Sequence, residues 1–159
     1  MKNALETATD MRVTTVGEES YFTVFVAGEI FGLPVARTQT VFRISSVTPV
    51  PFAHPDIAGL VNLRGRIVTA VSLRRRLKIA GGSEGVQNGL AIGIEHRSEN
   101  FALIVDQVGD VLVVARSMEI PVPPHFDHER SRLTTALYRV GKLLIPALNI
   151  EAIFDFDKS

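Results

Sequence analysis

Residues 57–73, IAGLVNLRGRIVTAVSL, decide how this chain is to be read. Two runs rich in Val, Ile and Leu flank Arg64-Gly65, and short β-branched runs on either side of a glycine-bearing pair read as a β-hairpin. Asn62 and Gly65 shape the turn, because glycine accepts positive φ and asparagine hydrogen-bonds its own backbone locally. Upstream, YFTVFVAGEIFGLPV at 21–35 has the same form around Ala27-Gly28-Glu29. Residues 40–51, TVFRISSVTPVP, keep a strand-like composition until Pro49 and Pro51 end it. Downstream, LRRRLKI at 73–79 allows a helical turn, and GGSEGVQNG, four glycines in nine residues, forces a loop.

The second half repeats this plan. Phe31, Leu33 and Val35 have counterparts 70 residues on in Phe101, Leu103 and Val105, and Val41-Phe42 has Val111-Leu112. A second stretch recurs at an offset of 77, where Thr69-Ala70-Val71-Ser72-Leu73 aligns with Pro146-Ala147-Leu148-Asn149-Ile150. Pro49-Val50-Pro51 answers Pro121-Val122-Pro123. Two copies of a five-strand plan fit two small barrels better than one sandwich, since strands this short close readily and closure removes exposed edges. The expected fold class is all-β, with two five-stranded barrels and short helical segments.

Composition narrows the function. With 17 Lys and Arg against 17 Asp and Glu the formal net charge is zero, so no global field draws in nucleic acid or anionic lipid. The absence of cysteine removes disulfides and thiolate chemistry and fits a reducing compartment. Residues 1–19 are polar and aperiodic and are expected to form a flexible tail; they lack the apolar core of a signal peptide. No apolar run approaches the roughly 20 residues of a membrane-spanning helix, so direct membrane insertion is not expected.

A catalytic constellation is not visible. His125 and His128 have a spacing that a metal could use on one helical turn, but no third ligand is near, and no metal or cofactor is expected. There is no nucleophile elbow, and GGSEGVQNG lacks the lysine and hydroxyl that follow a phosphate-cradling loop. Arg74-Arg75-Arg76 with Arg66 and Lys78 is the best case for a nucleic-acid-binding barrel. Against it, no aromatic lies between Phe52 and Phe101, and the cluster reads as a solvated basic face, with nucleic acid not expected as a partner.

IAGLVNLRGRIVTAVSLRRRL also resembles the most recognisable segment of the CheW-like family. The family's Gly-x-x-Asn-Leu-Arg-Gly stands here as Gly59, Asn62, Leu63, Arg64 and Gly65, and its Val-Asp-Leu-Arg as Val71-Ser72-Leu73-Arg74. FGLPVARTQTVFRI, FALIVDQVGDVLVV and LLIPALNIEAIF resemble three further family elements, in order, from about Tyr21 to Phe154. The resemblance implies one CheW-like domain over 20–156, made of two SH3-like barrels at about 20–80 and 88–156 that share a core, with exchange of a strand between them left open. It implies no enzymatic activity. Its partners would be the regulatory domain of a CheA-type histidine kinase and the cytoplasmic tips of methyl-accepting chemoreceptors, and its place the cytoplasm, recruited to receptor arrays. A second array governing pilus-driven motility is the alternative setting.

Three positions depart from the family pattern. The family's Val-Gln-Glu-Ile is Thr38-Gln39-Thr40-Val41, the Asp of Val-Asp-Leu is Ser72, and a glycine before the last hairpin is Thr135. Arg64 is the first choice for a receptor contact, because guanidinium offers five donors to carbonyls or carboxylates. Gln39, Thr40, Val41 and Gly59 complete the expected receptor-facing set; kinase-contacting positions are not assigned.

Overall fold

The computed structural model describes residues 17–80 and 89–156. Its strands are β1 (Glu18–Val26), β2 (Glu29–Pro34), β3 (Thr38–Arg43), β4 (Ile57–Leu63), β5 (Arg66–Ser72), β6 (Leu90–His96), β7 (Glu99–Val105), β8 (Gln107–Ala115), β9 (Glu119–Ile120), β10 (Thr134–Val140) and β11 (Leu143–Leu148). Three short helices accompany them: α1 (Leu73–Arg76), α2 (His128–Arg132) and α3 (Ile150–Ile153). β1 begins inside the tail expected at 1–19, with Glu18 opposite Ala115 and Glu19 opposite Val114. Residues 1–16 of that tail, and residues 81–88 of the glycine-rich loop, lie outside the described residues.

Tight two-residue turns build the hairpins. Ala27 and Gly28, Arg64 and Gly65, and Arg97 and Ser98 all sit at positive φ, the pattern of a type I′ turn, whose twist matches that of the strands it joins. At the fourth hairpin Gly141 alone is at positive φ.

One sheet runs β8-β1-β2-β11-β10-β9 and the other β3-β6-β7-β5-β4. The orders superimpose under the two sequence offsets. β1 and β2 correspond to β6 and β7, β8 to β3, and β10 and β11 to β4 and β5. The parallel join repeats as well: Ala147 faces Gly32 in one sheet, and Ala70 faces Ala102 in the other. Even the two-residue β9 has a counterpart. Ile120 pairs with Leu137, and the isolated bridge Thr48–Leu60 is the equivalent contact in the second sheet. Each sheet therefore draws strands from both halves of the chain. The opening hairpin β1–β2 joins strands of the second half, while β6–β7 joins strands of the first.

The strand expected to run to Pro49 ends at Arg43. β3 pairs with β6, and the chain beyond it crosses over to reach β4 through Thr48. Gly59 permits that crossing. It is buried at φ +146°, and a Cβ there would collide with the carbonyl oxygen of Thr48.

Three apolar clusters follow from this plan. The largest lies between the sheets, with Phe22, Val24 and Leu33 of one meeting Ile92, Ile94 and Leu103 of the other, and with Leu73, Leu77, Ile150 and Ile153 from the helices. A smaller one fills each barrel: Ile44, Val61, Val68, Ala70, Ala91 and Ala102 in the β3–β7 barrel, and Tyr21, Val114, Tyr138 and Ala147 in the other. Where the second has Tyr21 beside Gly32, the first has Ala91 with Ala102, so volume lost at one position is restored at its neighbour.

Candidate functional site

β3 and β4 are the two edges of their sheet, yet Arg64 Nη2 donates to Thr40 Oγ1 at 3.3 Å. The sheet has curled until its edges meet. Gly93 of β6 shows how close they come, since a Cβ there would lie 3.0 Å from Thr40 Cγ2 and 3.5 Å from Leu63 Cδ2. Above this seam lies a shallow groove of about 240 Å³, lined by Gln39, Thr40, Leu63, Arg64, Arg66, Val68 and Asn100.

Arg64 is exposed and sits at φ +53°, which the following Gly65 at φ +84° continues. The turn is held by Asn62, whose Oδ1 accepts from the Gly65 N–H at 2.8 Å. Thr40 Oγ1 is the one hydrogen-bond partner of Arg64 among the described residues. A guanidinium has five N–H donors, so most of this one faces solvent. Gln39 is exposed, with its amide 3.4 Å from Glu95 Oε2.

The groove thus gathers Arg64, Gln39 and Thr40, with Asn62 and Gly65 forming the turn beneath. It does not gather the other two expected positions. Val41 packs against the large core, on the opposite face from Thr40, while the register shift between Thr38 and Thr40 lets both Gln39 and Thr40 reach the groove. Gly59 is buried under Thr48 and serves the backbone there. Leu63 and Arg66 flank the turn and could have been named from the hairpin alone. Asn100 of β7 carries no such local signal, since only the closed barrel brings it in.

The basic cluster is the solvated face its sequence suggests only in part: Arg66, Arg75 and Lys78 are exposed, whereas Arg74 is half-buried and Arg76 is enclosed. Arg76 is 1% exposed; its Nη1 meets Asp56 Oδ2 at 3.2 Å, its Nη2 donates to the Ala152 carbonyl at 2.8 Å, and its guanidinium lies 4.7 Å from the Phe156 ring centre. Arg74 pairs with Asp106 at 3.2 Å, and Arg75 donates to the Pro55 carbonyl at 3.0 Å. α1 is a single turn with the large core on one side and acidic or carbonyl oxygens on the others, so consecutive arginines find consecutive internal partners.

Two of the departures have local explanations. Ser72 caps α1, its Oγ accepting from the Arg75 N–H at 3.2 Å, as Asn149 caps α3 through Ala152. Thr135 lies at a register shift in β10 and donates to the Ala147 carbonyl at 3.2 Å. Among the described residues no group of three or more His, Cys, Asp or Glu could hold a metal ion, and no helix is long and apolar enough to cross a membrane.

Known proteins resemble this chain in sequence and fold. The chain is 26% identical over 155 residues to the chemotaxis protein CheW of Klebsiella aerogenes, covering 97% of this chain and 92% of that one. It is 24% identical to the CheW of Bacillus subtilis, with 89% and 90% covered. The crystal structure of the scaffolding protein TtCheW from Thermoanaerobacter tengcongensis superimposes with a TM-score of 0.77 at 22% identity, over 89% of this chain and 95% of that one, and so shares its fold of two SH3-like barrels. The family model for the CheW-like domain matches residues 20–158, and the chain belongs to that family.

Proposed function

We propose that this protein is a non-catalytic adaptor that couples methyl-accepting chemoreceptors to the regulatory domain of a CheA-type histidine kinase, with the Arg64 groove as its receptor-facing surface. The observation that carries the reading is the exposed guanidinium of Arg64, raised on a tight turn above a shallow groove of mixed lining and held by a single hydroxyl. Position 40 matters here. A carboxylate would neutralise Arg64 within the chain, whereas Thr40 leaves its charge for a partner. Such a protein acts from the cytoplasm and is recruited to receptor arrays by its partners.

The test is titration of Arg64→Ala against a receptor-tip fragment and, separately, the kinase regulatory domain. Receptor binding is expected to weaken by about 2 kcal/mol, roughly thirtyfold. Kinase binding should be nearly unchanged. The folding free energy, from a urea melt, should move by no more than about 0.5 kcal/mol, as at other surface sites. Unfolding of the variant, or equal weakening toward both partners, would assign Arg64 to structure instead.

A further inference from the structure

The two barrels are copies, but one carries a plug that the other lacks. In the first sheet Glu29 and Phe31 lie two residues apart on one face of β2. Arg130 of α2 covers them: its Nη1 and Nη2 meet Glu29 Oε1 and Oε2 at 3.1 Å each, and its guanidinium carbon stands 5.6 Å from the centre of the Phe31 ring. This is a two-pronged carboxylate grip combined with a stacked guanidinium, a geometry that arginine supplies and lysine does not. Beneath the plug Phe31 is 1% exposed.

The equivalents at offset 70 are Glu99 and Phe101, on the same face of β7. No counterpart of α2 exists there. The offset between the halves is 72 at the prolines Pro49 and Pro121 and 77 from β4 and β10 onward, so five residues are added between them, the length of α2. What remains is an open cleft of about 350 Å³ lined by Ile57, His96, Glu99, Phe101, Phe154 and Phe156, with Thr69, Arg97 and Asp155. Phe154 stacks on Phe101 at 4.6 Å and forms an aromatic wall. Glu99 has no ion pair among the described residues. Glu99 is exposed at the rim of the cleft, where its carboxylate can meet a cation.

We propose that the cleft beside Glu99 and Phe101 receives an arginine side chain that a partner protein presents on a short helical turn, as α2 presents Arg130 to Glu29 and Phe31. The occupied site of the same molecule is the template, and the proposal stands apart from the Arg64 groove. Glu99 takes the paired N–H donors of the guanidinium, and the arginine stem lies along the exposed rims of Phe101 and Phe154, whose faces are stacked on each other. Arg97, at the turn, bends away or meets an acidic residue of the partner.

The experiment uses the full chain and a synthetic peptide with the sequence of residues 125–133, followed residue by residue in amide NMR spectra. Shifts are expected at Glu99, Phe101 and Phe154. They should vanish when the peptide arginine equivalent to Arg130 is replaced by alanine, and weaken when it is lysine. Glu99→Gln, at an exposed position that leaves folding intact, should cost about tenfold in affinity. A chain carrying Arg130→Ala supplies the control, because unplugging the first site should add a second set of shifts at Glu29 and Phe31. Absence of shifts at the Glu99 cleft of the unaltered chain, or binding indifferent to the peptide arginine or to Glu99, overturns the proposal.

Discussion

Arg64 and Arg76 carry the same side chain to opposite ends of the burial scale, and different physics governs each. Arg64 spends one donor on Thr40 and keeps the rest in water. Arg76 is enclosed and answers Asp56, the carbonyls of Ala152 and Asp155 and an aromatic ring at once. Removing one member of a buried pair strands the other, so Arg76→Met should lower stability by about 3–5 kcal/mol. A urea melt checks this, and adding Asp56→Asn should recover part of the loss, because the stranded carboxylate is then gone. Sequence could not separate these arginines: LRRRLKI states four charges but not the α3 carbonyl that one of them meets 76 residues away. Tyr21 shows a buried group of another kind. Burial, and then its hydrogen bond with Tyr138, push its hydroxyl well above the usual tyrosine range. The folded state therefore holds this proton at pH values where the unfolded chain releases it. Stability should be full below about pH 10, the unfolded value, and fall as pH rises beyond it. Tyr21→Phe should flatten that alkaline limb, which urea midpoints measured from pH 8 to 11 would reveal.

At the scale of elements, two hairpins are legible where glycine marks the turn. Ala27-Gly28 and Arg64-Gly65 could be named in advance, since positive φ is easiest at glycine. The β6–β7 turn carries no such mark, because Arg97 and Ser98 occupy the same left-handed region without a glycine. That strain is removable. Ser98→Gly should raise stability by about 1 kcal/mol, read as a shifted urea midpoint at unchanged slope. The end of β3 differs from its sequence expectation for a different reason. Its composition continues past Arg43, but a strand lasts only as long as its partner, and β6 begins at Leu90 opposite Arg43. The groove had the same mixed legibility. Arg64, Asn62 and Gly65 follow from one motif, whereas their meeting with Thr40 depends on a sheet curling edge to edge. Val41 follows a groove residue and Gly59 shares the strand of Leu63, yet Val41 faces the large core and Gly59 lies under the Thr48 backbone.

Across the whole molecule, the offsets of 70 and 77 foretold two copies of one plan, but not which strands would assemble into each copy. Periodicity describes one strand at a time, and pairing between distant strands leaves little local trace. The outcome is reciprocal: β1–β2 completes the sheet of β8, β10 and β11, while β6–β7 completes that of β3, β4 and β5. A large core between the sheets, and Arg76 reaching from α1 to α3, bind the copies further. A chain cut between residues 84 and 85 should therefore give two fragments that cannot fold alone. Fragment 1–84 would hold β3, β4 and β5 without the hairpin inserted between them, and β1–β2 without its neighbours on either side. Each fragment should show weak β-structure by circular dichroism and no cooperative urea transition, because an isolated two-stranded hairpin is marginal in water. Mixed, the two should form a one-to-one complex with a cooperative transition, detectable by sedimentation and by the return of amide dispersion in NMR. If fragment 1–84 folds cooperatively as a monomer, a half of the chain can close its own barrel, and the exchanged hairpins would not be what holds the molecule together.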